Sequence, residues 1–376
     1  MAGQVTSPAQ ELAAFVDEAL PAFAQQWGDD RGFEARLDWQ RRLHAGGWVA
    51  PSWPVEIGGR GIGVADRVAC DIVLAERKAP TIAGILGVNN VGPTLAAWGS
   101  EEQRAHLPKI LAGEEIWCQG FSEPEAGSDL AGLRMSAIRD GDEFVVNGQK
   151  IWTSQGMQAD YCQLLVRTDP SAGKHKGISA LVVPLDLPGI ERRPLRQING
   201  EADFAEVFFE DVRVPVSNLL GPENDGWRVT MTTLSHERAG VIAMSAMLES
   251  DARTLLADHS RDGDRPLAPA LRDEVVQRYI EARVLGVMGQ NSLALAEAGG
   301  RPGPEQSVIK LSWSLLSQRL SETRLAVEGL PAVTGGVPSA AGSFLGSRAS
   351  TIAGGTTEVM KNILAERVLG LPKEPS

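Results

Sequence analysis

Cysteine is scarce in this chain, and the three that occur form no motif. Cys70, Cys118 and Cys162 are far apart among 376 residues, odd in number and without a Cys-x-x-Cys. Such a set argues against a disulfide framework or a cysteine zinc site, and it suits a reducing compartment. An excess of basic charge is missing too. The balance is -12, which argues against a nucleic-acid or anionic-membrane partner. No apolar run approaches a membrane span, so no membrane segment is expected. The opening "MAGQVTSPAQELAAF" lacks a basic stretch followed by an apolar one. No secretory signal is therefore expected, and the expected location is cytoplasmic.

Several catalytic signatures are also absent. There is no Walker A pattern, no G-x-S-x-G and no H-E-x-x-H. His44, His106, His175, His236 and His259 show no metal-ligand spacing, so no metal site is expected. "GGRGIG" (58–63) fails G-x-G-x-x-G in every register and joins two helical stretches, so it reads as a flexible turn. "GKHKG" (173–177) reads as a solvated hairpin tip. Internal repeats and low-complexity tracts are missing. So is any βαβ alternation, which argues against a doubly wound parallel sheet.

What is present divides into three. Hydrophobic residues make up 43% and charged ones 22%, ample for a sizeable core in two or three domains. Helical periodicity predicts helices over 7–26, 33–44, 64–78 and 100–111, the last opened by a Ser100-x-x-Gln103 capping box. From about 114 the period becomes that of strands. Asp140-Gly141 and Asn147-Gly148 separate the runs 135–139, 143–146 and 149–153, which predicts a meander of hairpins. Runs 161–168, 178–184 and 204–214 are further strands. Long helices return over 227–260, 271–298 and 305–328, followed by a shorter one over 357–369. The fold class is α+β: a helical domain over 1–113, an antiparallel β-barrel domain over 114–222 and a four-helix bundle over 223–376.

"TIAGGTTEVM" (351–360) places two glycines and two threonines at a helix start, with Glu358 in the first turn. Free N–H groups at such a start suit an anion or a polar cofactor edge. The same residues also make an ordinary capped helix, and Glu358 is an acid at hand.

"WCQGFSEPEAGSDLAGL" (117–133) followed by "NGQKIWTSQGMQADY" (147–161) resembles the acyl-CoA dehydrogenase family of flavoproteins. That family carries a T/S-E-P-x-A-G-S-D segment and then N-G-x-K-x-W. "VFFEDVRVPVSNLLG" and "GGTTEVMKNILAERVLG" resemble two of its later motifs, in the right order. The resemblance implies a helix–barrel–bundle fold with FAD as cofactor. It implies that Gln119, Phe121 and Ser122 lie beside the flavin and that Gly127 and Ser128 lie near the flavin or the thioester. Trp152 and Ser154 match positions on the flavin's other side. Thr356 matches the threonine that meets the cofactor, and Glu358 a flavin hydrogen bond or a cap. A strand and turn rich in Gly and Ser can supply N–H groups and hydroxyls along a flavin edge.

The resemblance also implies a reaction. A carboxylate removes the α-proton of an acyl-CoA thioester while hydride passes from Cβ to flavin N5. The emerging enolate needs hydrogen bonds at the thioester oxygen. Many family members hold the base directly before the Gly-Thr of the C-terminal motif, but this chain has Gly354 there. Gly354 offers only its N–H to the thioester oxygen. Another branch carries the glutamate on the first long helix of the bundle, followed by arginine. "TTLSHERAGVIA" (232–243) has Glu237-Arg238 at that place, which makes Glu237 the candidate base. Thr233, Leu234, Gly240 and Val241 share its helix face, and Ala239, Gly240 and Ala243 are small enough to leave room for a ligand. Glu358 is the second candidate base, one turn beyond Gly354.

Two family segments are reduced. No Arg-x-x-Phe-Gly occurs in "LLADHSRDGDRPLAPALRDE", where only Arg261 and Arg265 could substitute, and the glutamine-glycine segment shrinks to "VEGLPAVTGGVPS". The adenosine-side contacts of FAD therefore stay unassigned. Such shortening is similar to a bacterial branch acting on bulky acyl-CoAs such as steroid side chains. The resemblance implies an acyl-CoA substrate and an electron-transferring flavoprotein as acceptor. It also implies a homodimer, a homotetramer or a heteromer with a paralogous subunit. A same-fold oxidase or monooxygenase using O₂ and a non-catalytic partner subunit are the alternatives.

Overall fold

The computed structural model describes residues 6–260, 267–298, 303, 306–334 and 340–373; within its helices, the side chains of 235–243, 260, 296 and 297 lie outside the described residues. In chain order the helices are α1 (Pro8–Trp27), α2 (Phe33–Ala45), α3 (Val64–Glu76), α4 (Gly92–Trp98), α5 (Glu101–Arg104) and α6 (Leu107–Ala112). The strands β1 (Trp117–Gly120), β2 (Ser136–Asp140), β3 (Glu143–Ser154), β4 (Tyr161–Arg167), β5 (Ile178–Pro184), β6 (Ile190–Leu195) and β7 (Phe204–Pro215) follow. Then come α7 (Gly226–Ser260), α8 (Pro269–Glu297), α9 (Gln306–Glu328), α10 (Leu330–Thr334), α11 (Ala340–Ser347) and α12 (Thr357–Ile363).

Most helices fall where periodicity put them. The stretch 100–111 is the exception. It splits into α5 and α6, with the expected capping box of Ser100 and Gln103 present and Pro108 sitting in the first turn of α6. A wider π turn over Gly87–Val91 leads into α4, an element without a clear periodic signal.

The chain divides into two compact units. One holds Ala14–Ile62 and Pro80–Glu237. At its centre is a seven-stranded sheet of order β1-β4-β2-β3-β7-β6, with β5 on the other edge of β4. Inward side chains of β1, β2, β3, β4, β5 and β7 share one core that includes Cys118, Ala137, Phe144, Leu164, Val183 and Val207. The sheet therefore curls around its own contents, as expected for a barrel. A second core joins α4, α6, β1, β5 and the start of α7 through Leu95, Ile110, Trp117, Ala180 and Val229.

Two expectations about this sheet need correction. It is mixed rather than antiparallel, because β1 runs parallel to β4 and a single parallel bridge links β2 to β4. The strand order explains this: β1 is separated from β4 by the whole β2–β3 hairpin, so it can enter in either direction. The second correction concerns Asn147-Gly148. It makes no hairpin turn but a β-bulge within the long strand β3. Gly148 has φ +143, and a Cβ there would lie 2.8 Å from Met135 Cγ. The Asn147 amide donates to Asp211 Oδ1 and accepts from the Asp211 N–H, pinning the bulge to β7. A two-residue hairpin does form at Gly141-Asp142, between paired Asp140 and Glu143.

Cys118 and Cys162, far apart in sequence, are register partners on β1 and β4. All three cysteines are free and buried. A hydrogen bond with Cys162 and burial push the Cys118 thiol well above its ordinary value, so it is not a poised nucleophile. Within the largely exposed glycine loop at 58–63, Gly59 is closely packed, since a Cβ there would lie 1.9 Å from the Trp53 carbonyl.

The other unit holds Met1–Ala13, Gly63–Ala79 and Arg238–Ser376. Leu248, Ala252 and Leu255 of α7 pack with Val275, Ala282 and Leu285 of α8 and with Ile309, Leu316 and Leu320 of α9. Among the described residues no helix is long and apolar enough to cross a membrane.

Candidate functional site

The motif strand β1 ends in a turn that is fixed from below. Lys150 of β3 is fully buried, and its ammonium donates to the Phe121 carbonyl at 3.0 Å and to Glu123 Oε1 at 2.8 Å. Glu123 also accepts from the N–H groups of Arg134 and Met135. Burial pulls the Lys150 ammonium down and Glu123 pulls it back up, leaving it lowered. Burial likewise pushes the Glu123 carboxyl up, but Lys150 and the two N–H groups outweigh it and hold it below its ordinary value. Glu123, held below its ordinary value, is a carboxylate near neutral pH, and Lys150 donates to it. The pair makes the 121–123 turn a rigid shelf.

Beside the shelf, the Ile151 N–H donates to the Ser122 carbonyl at 3.0 Å. This bond brings the two motif stretches together, so Gln119, Phe121 and Ser122 lie near the β3 segment that carries Trp152 and Ser154. Trp152 occupies a second irregularity of β3, between Lys150 and Thr153, with φ +59. A bulky residue in that conformation is a backbone outlier; the residue is 58% exposed, with its ring in a T-shaped contact with Phe204. Gly127 and Ser128 follow in an exposed loop, and a Cβ on Gly127 would meet nothing within 4 Å.

Gln119 takes part in a longer polar chain. Its Oε1 accepts from Asn90 Nδ2 at 3.1 Å. The Asn90 carbonyl accepts from the Thr94 hydroxyl, which also pairs with Thr233 Oγ1 at 2.9 Å. Thr233 Oγ1 accepts from Gln163 Nε2 at 3.0 Å. Glu237 stands one turn beyond Thr233 in α7, and its side chain lies outside the described residues, as do those of Arg238, Ala239, Gly240, Val241 and Ala243.

In the other unit, Thr356 caps α12, its hydroxyl accepting from the Val359 N–H at 3.2 Å. Gly354 and Gly355 precede it with φ +65 and +100, and Gly354 and Glu358 are both exposed. The turn is clamped by one face of α9. Lys310 is buried and donates to the carbonyls of Ser350 and Gly355 at 3.0 and 2.8 Å. Gln318 donates to Thr351 Oγ1, and Ser350 Oγ donates to the Ser314 carbonyl. The Thr357 hydroxyl is buried without a partner. Arg261, Arg265 and residues 335–339, within the two segments reduced relative to the family, lie outside the described residues.

Sequence reasoning missed Glu123, Lys150 and Lys310. The first two stood in the quoted motifs, and a lysine at a strand position otherwise meant for the core was the available signal. Lys310 stands within "QSVIKLSWSLLSQ", where Lys310, Ser314 and Gln318 recur at helical spacing.

Comparison with known proteins decides the family. The N-terminal, middle and C-terminal domain descriptions of acyl-CoA dehydrogenase match residues 7–114, 118–212 and 224–369. The chain belongs to the acyl-CoA dehydrogenase family. It is 40% identical over 368 residues to acyl-CoA dehydrogenase IpdE1 of Mycobacterium tuberculosis, covering 95% of this chain and 93% of that one. Among solved structures it is similar to the Tcur3481-Tcur3483 steroid ACAD, with TM-score 0.86, 30% identity and 97% of each chain covered. It is also similar to the ChsE4-ChsE5 complex from Mycobacterium tuberculosis, with TM-score 0.83, 32% identity and full coverage of both chains. This acyl-CoA dehydrogenase is therefore an oxidoreductase of a family whose members are FAD-dependent. The residues around β1 and β3 suit that cofactor, with an exposed aromatic side chain at Trp152 and open space over Gly127.

Proposed function

We propose that this acyl-CoA dehydrogenase oxidises a bulky, ring-bearing acyl-CoA at its α,β bond, with Glu237 as the base. The single observation that carries the placing of the base is the residue at 354. Glycine stands where many relatives hold the acid, and "HERAG" supplies a glutamate on α7 at the alternative place. FAD, when bound, supplies the acceptor for the hydride leaving Cβ. Gln119, Phe121, Ser122, Trp152 and Ser154 flank its ring system, Thr356 meets it at the start of α12, and Gly127 and Ser128 border the flavin or the thioester. Glu358 caps α12 or hydrogen-bonds the flavin. The Gly354 N–H serves the thioester oxygen, where enolate charge gathers. Glu237 takes the α-proton; a carboxylate in a water-poor site has its proton affinity raised toward the working pH.

The ring-bearing acyl group rests on the relatives, one of which is named a steroid enzyme. Oligomers with a paralogous subunit are supported by the paired names of two relatives. An exposed apolar stripe on α8, formed by Val276, Ile280, Val284 and Val287, is of the kind that subunit contacts cover. We place electron transfer to an electron-transferring flavoprotein and a cytoplasmic location in the same reading. The test is an anaerobic screen of straight, branched, aromatic and steroid acyl-CoAs against the yellow holoprotein. Bleaching by a ring-bearing member, with reoxidation by an artificial acceptor much faster than by O₂, is expected. Fast reoxidation by O₂ would make the protein an oxidase.

A further inference from the structure

Gln119 and Gln163 are register partners on the parallel strands β1 and β4. The polar chain that begins at Gln119 Oε1 passes through Asn90, Thr94 and Thr233 and ends at Gln163 Nε2. Its two loose ends are thus neighbours. Gln119 Nε2 and Gln163 Oε1 are both buried and both lack a partner. One is a donor and the other an acceptor.

The chain runs beside an apolar core. Val91, Leu95, Trp117, Leu165 and Val229 belong to that core, while Thr94, Gln163 and Thr233 are wholly buried polar residues on the same elements. Leaving a buried donor and a buried acceptor unmet is unfavourable for each. Hydrogen bonds within the chain engage the other end of each amide, Gln119 Oε1 and Gln163 Nε2. The location adds to this. β1 is the strand proposed to border the flavin, and Thr233 stands one turn before Glu237. One unmet atom belongs to β1 itself, and the residue carrying the other hydrogen-bonds Thr233 on the helix of the proposed base.

We infer that Gln119 Nε2 and Gln163 Oε1 form a subsite for a hydroxyl group on the acyl portion of the substrate. A hydroxyl satisfies both ends at once, accepting from Gln119 and donating to Gln163. A keto oxygen would meet only Gln119, and a hydrocarbon would meet neither. This inference rests on the acyl-CoA dehydrogenase reading and adds to it the polarity of the acyl group. A site built to hydrogen-bond a hydroxyl discriminates strongly against the analogue without it, because its polar groups are then left unpaired.

The test uses matched pairs of acyl-CoAs with the flavin-loaded protein. The probes are cyclohexylpropanoyl-, indanylpropanoyl- and steroid side-chain CoAs, each with and without a ring hydroxyl at successive positions. At least one hydroxylated member is expected to exceed its deoxy partner by roughly tenfold or more in kcat/KM for anaerobic bleaching. In Gln163→Leu that ratio falls toward one. The flavin spectrum reports whether the variant is folded, and the wild-type ratios decide the matter if it is not. Deoxy members that bleach the flavin as fast as every hydroxylated partner overturn the subsite while leaving the dehydrogenase reading intact, and assign the two amides to an internal water. Failure of every member to bleach overturns the dehydrogenase reading and the subsite with it.

Discussion

Lys150 and Glu123 form a buried ion pair 2.8 Å long that ties β3 to the turn following β1. Both carboxylate oxygens and two of the three ammonium protons are used, since Glu123 also accepts two backbone N–H groups and Lys150 also donates to the Phe121 carbonyl. Pairs of this kind are costly to break from one side, because the remaining charge is stranded away from water.

Lys150→Met should therefore lower stability by about 3–5 kcal/mol and weaken flavin retention, as read by chemical denaturation and by flavin release on dilution. Lys150→Met combined with Glu123→Gln should recover part of that stability, since no charge is then left buried. Equal loss in single and double variants would show that the pair is not the source.

Acid should act on the same shelf. The Glu123 carboxyl is held below its ordinary 4.5, so the unfolded chain takes up its proton first as pH falls. Its contribution is complete above 4.5 and is lost as pH falls through the lower folded-state value. Glu123→Gln should flatten the stability profile in that acidic window, measured by denaturation midpoints as a function of pH. A profile identical to that of the wild type would contradict this.

Trp152 presents an exposed ring in a strained backbone conformation, so its ring adds little to the core. Trp152→Ala should change the melting temperature of the flavin-free protein little, yet raise the flavin dissociation constant by roughly tenfold, the worth of about 1.4 kcal/mol. Fluorescence titration of the flavin separates the two effects. A large melting shift with unchanged flavin affinity would make Trp152 structural.

Thr356 has one visible duty, the cap on the Val359 N–H. Thr356→Val should cost about 1 kcal/mol of stability by loss of that cap and should weaken flavin binding as well. Thr356→Ser keeps the hydroxyl and should restore both. Restoration of stability without restoration of binding would remove the flavin contact from its role.

The layout was legible because its signals are local. Helical spacing, the Ser100 capping box and the shift to strand periodicity near 114 are properties of neighbouring residues. Strand direction is not local: nothing in "WCQG" says that it lies parallel to "YCQLLVR" across an intervening hairpin. Asn147-Gly148 misled for a related reason. The dipeptide suits a hairpin and a bulge alike, and only its partner Asp211, 64 residues on, selects the bulge. Lys150, Lys310 and the Gln119–Gln163 pair were hidden because their roles exist only once distant elements meet. The family itself could be read, since the order of its motif segments along the chain was enough.

The most direct test is anaerobic mixing of a bleaching acyl-CoA with Glu237→Gln that still carries its flavin. Glutamine keeps the shape but cannot take the α-proton, so bleaching should fall by several orders of magnitude while the yellow spectrum is unchanged. Bleaching at a near wild-type rate would contradict the assignment of Glu237 and move the role to Glu358.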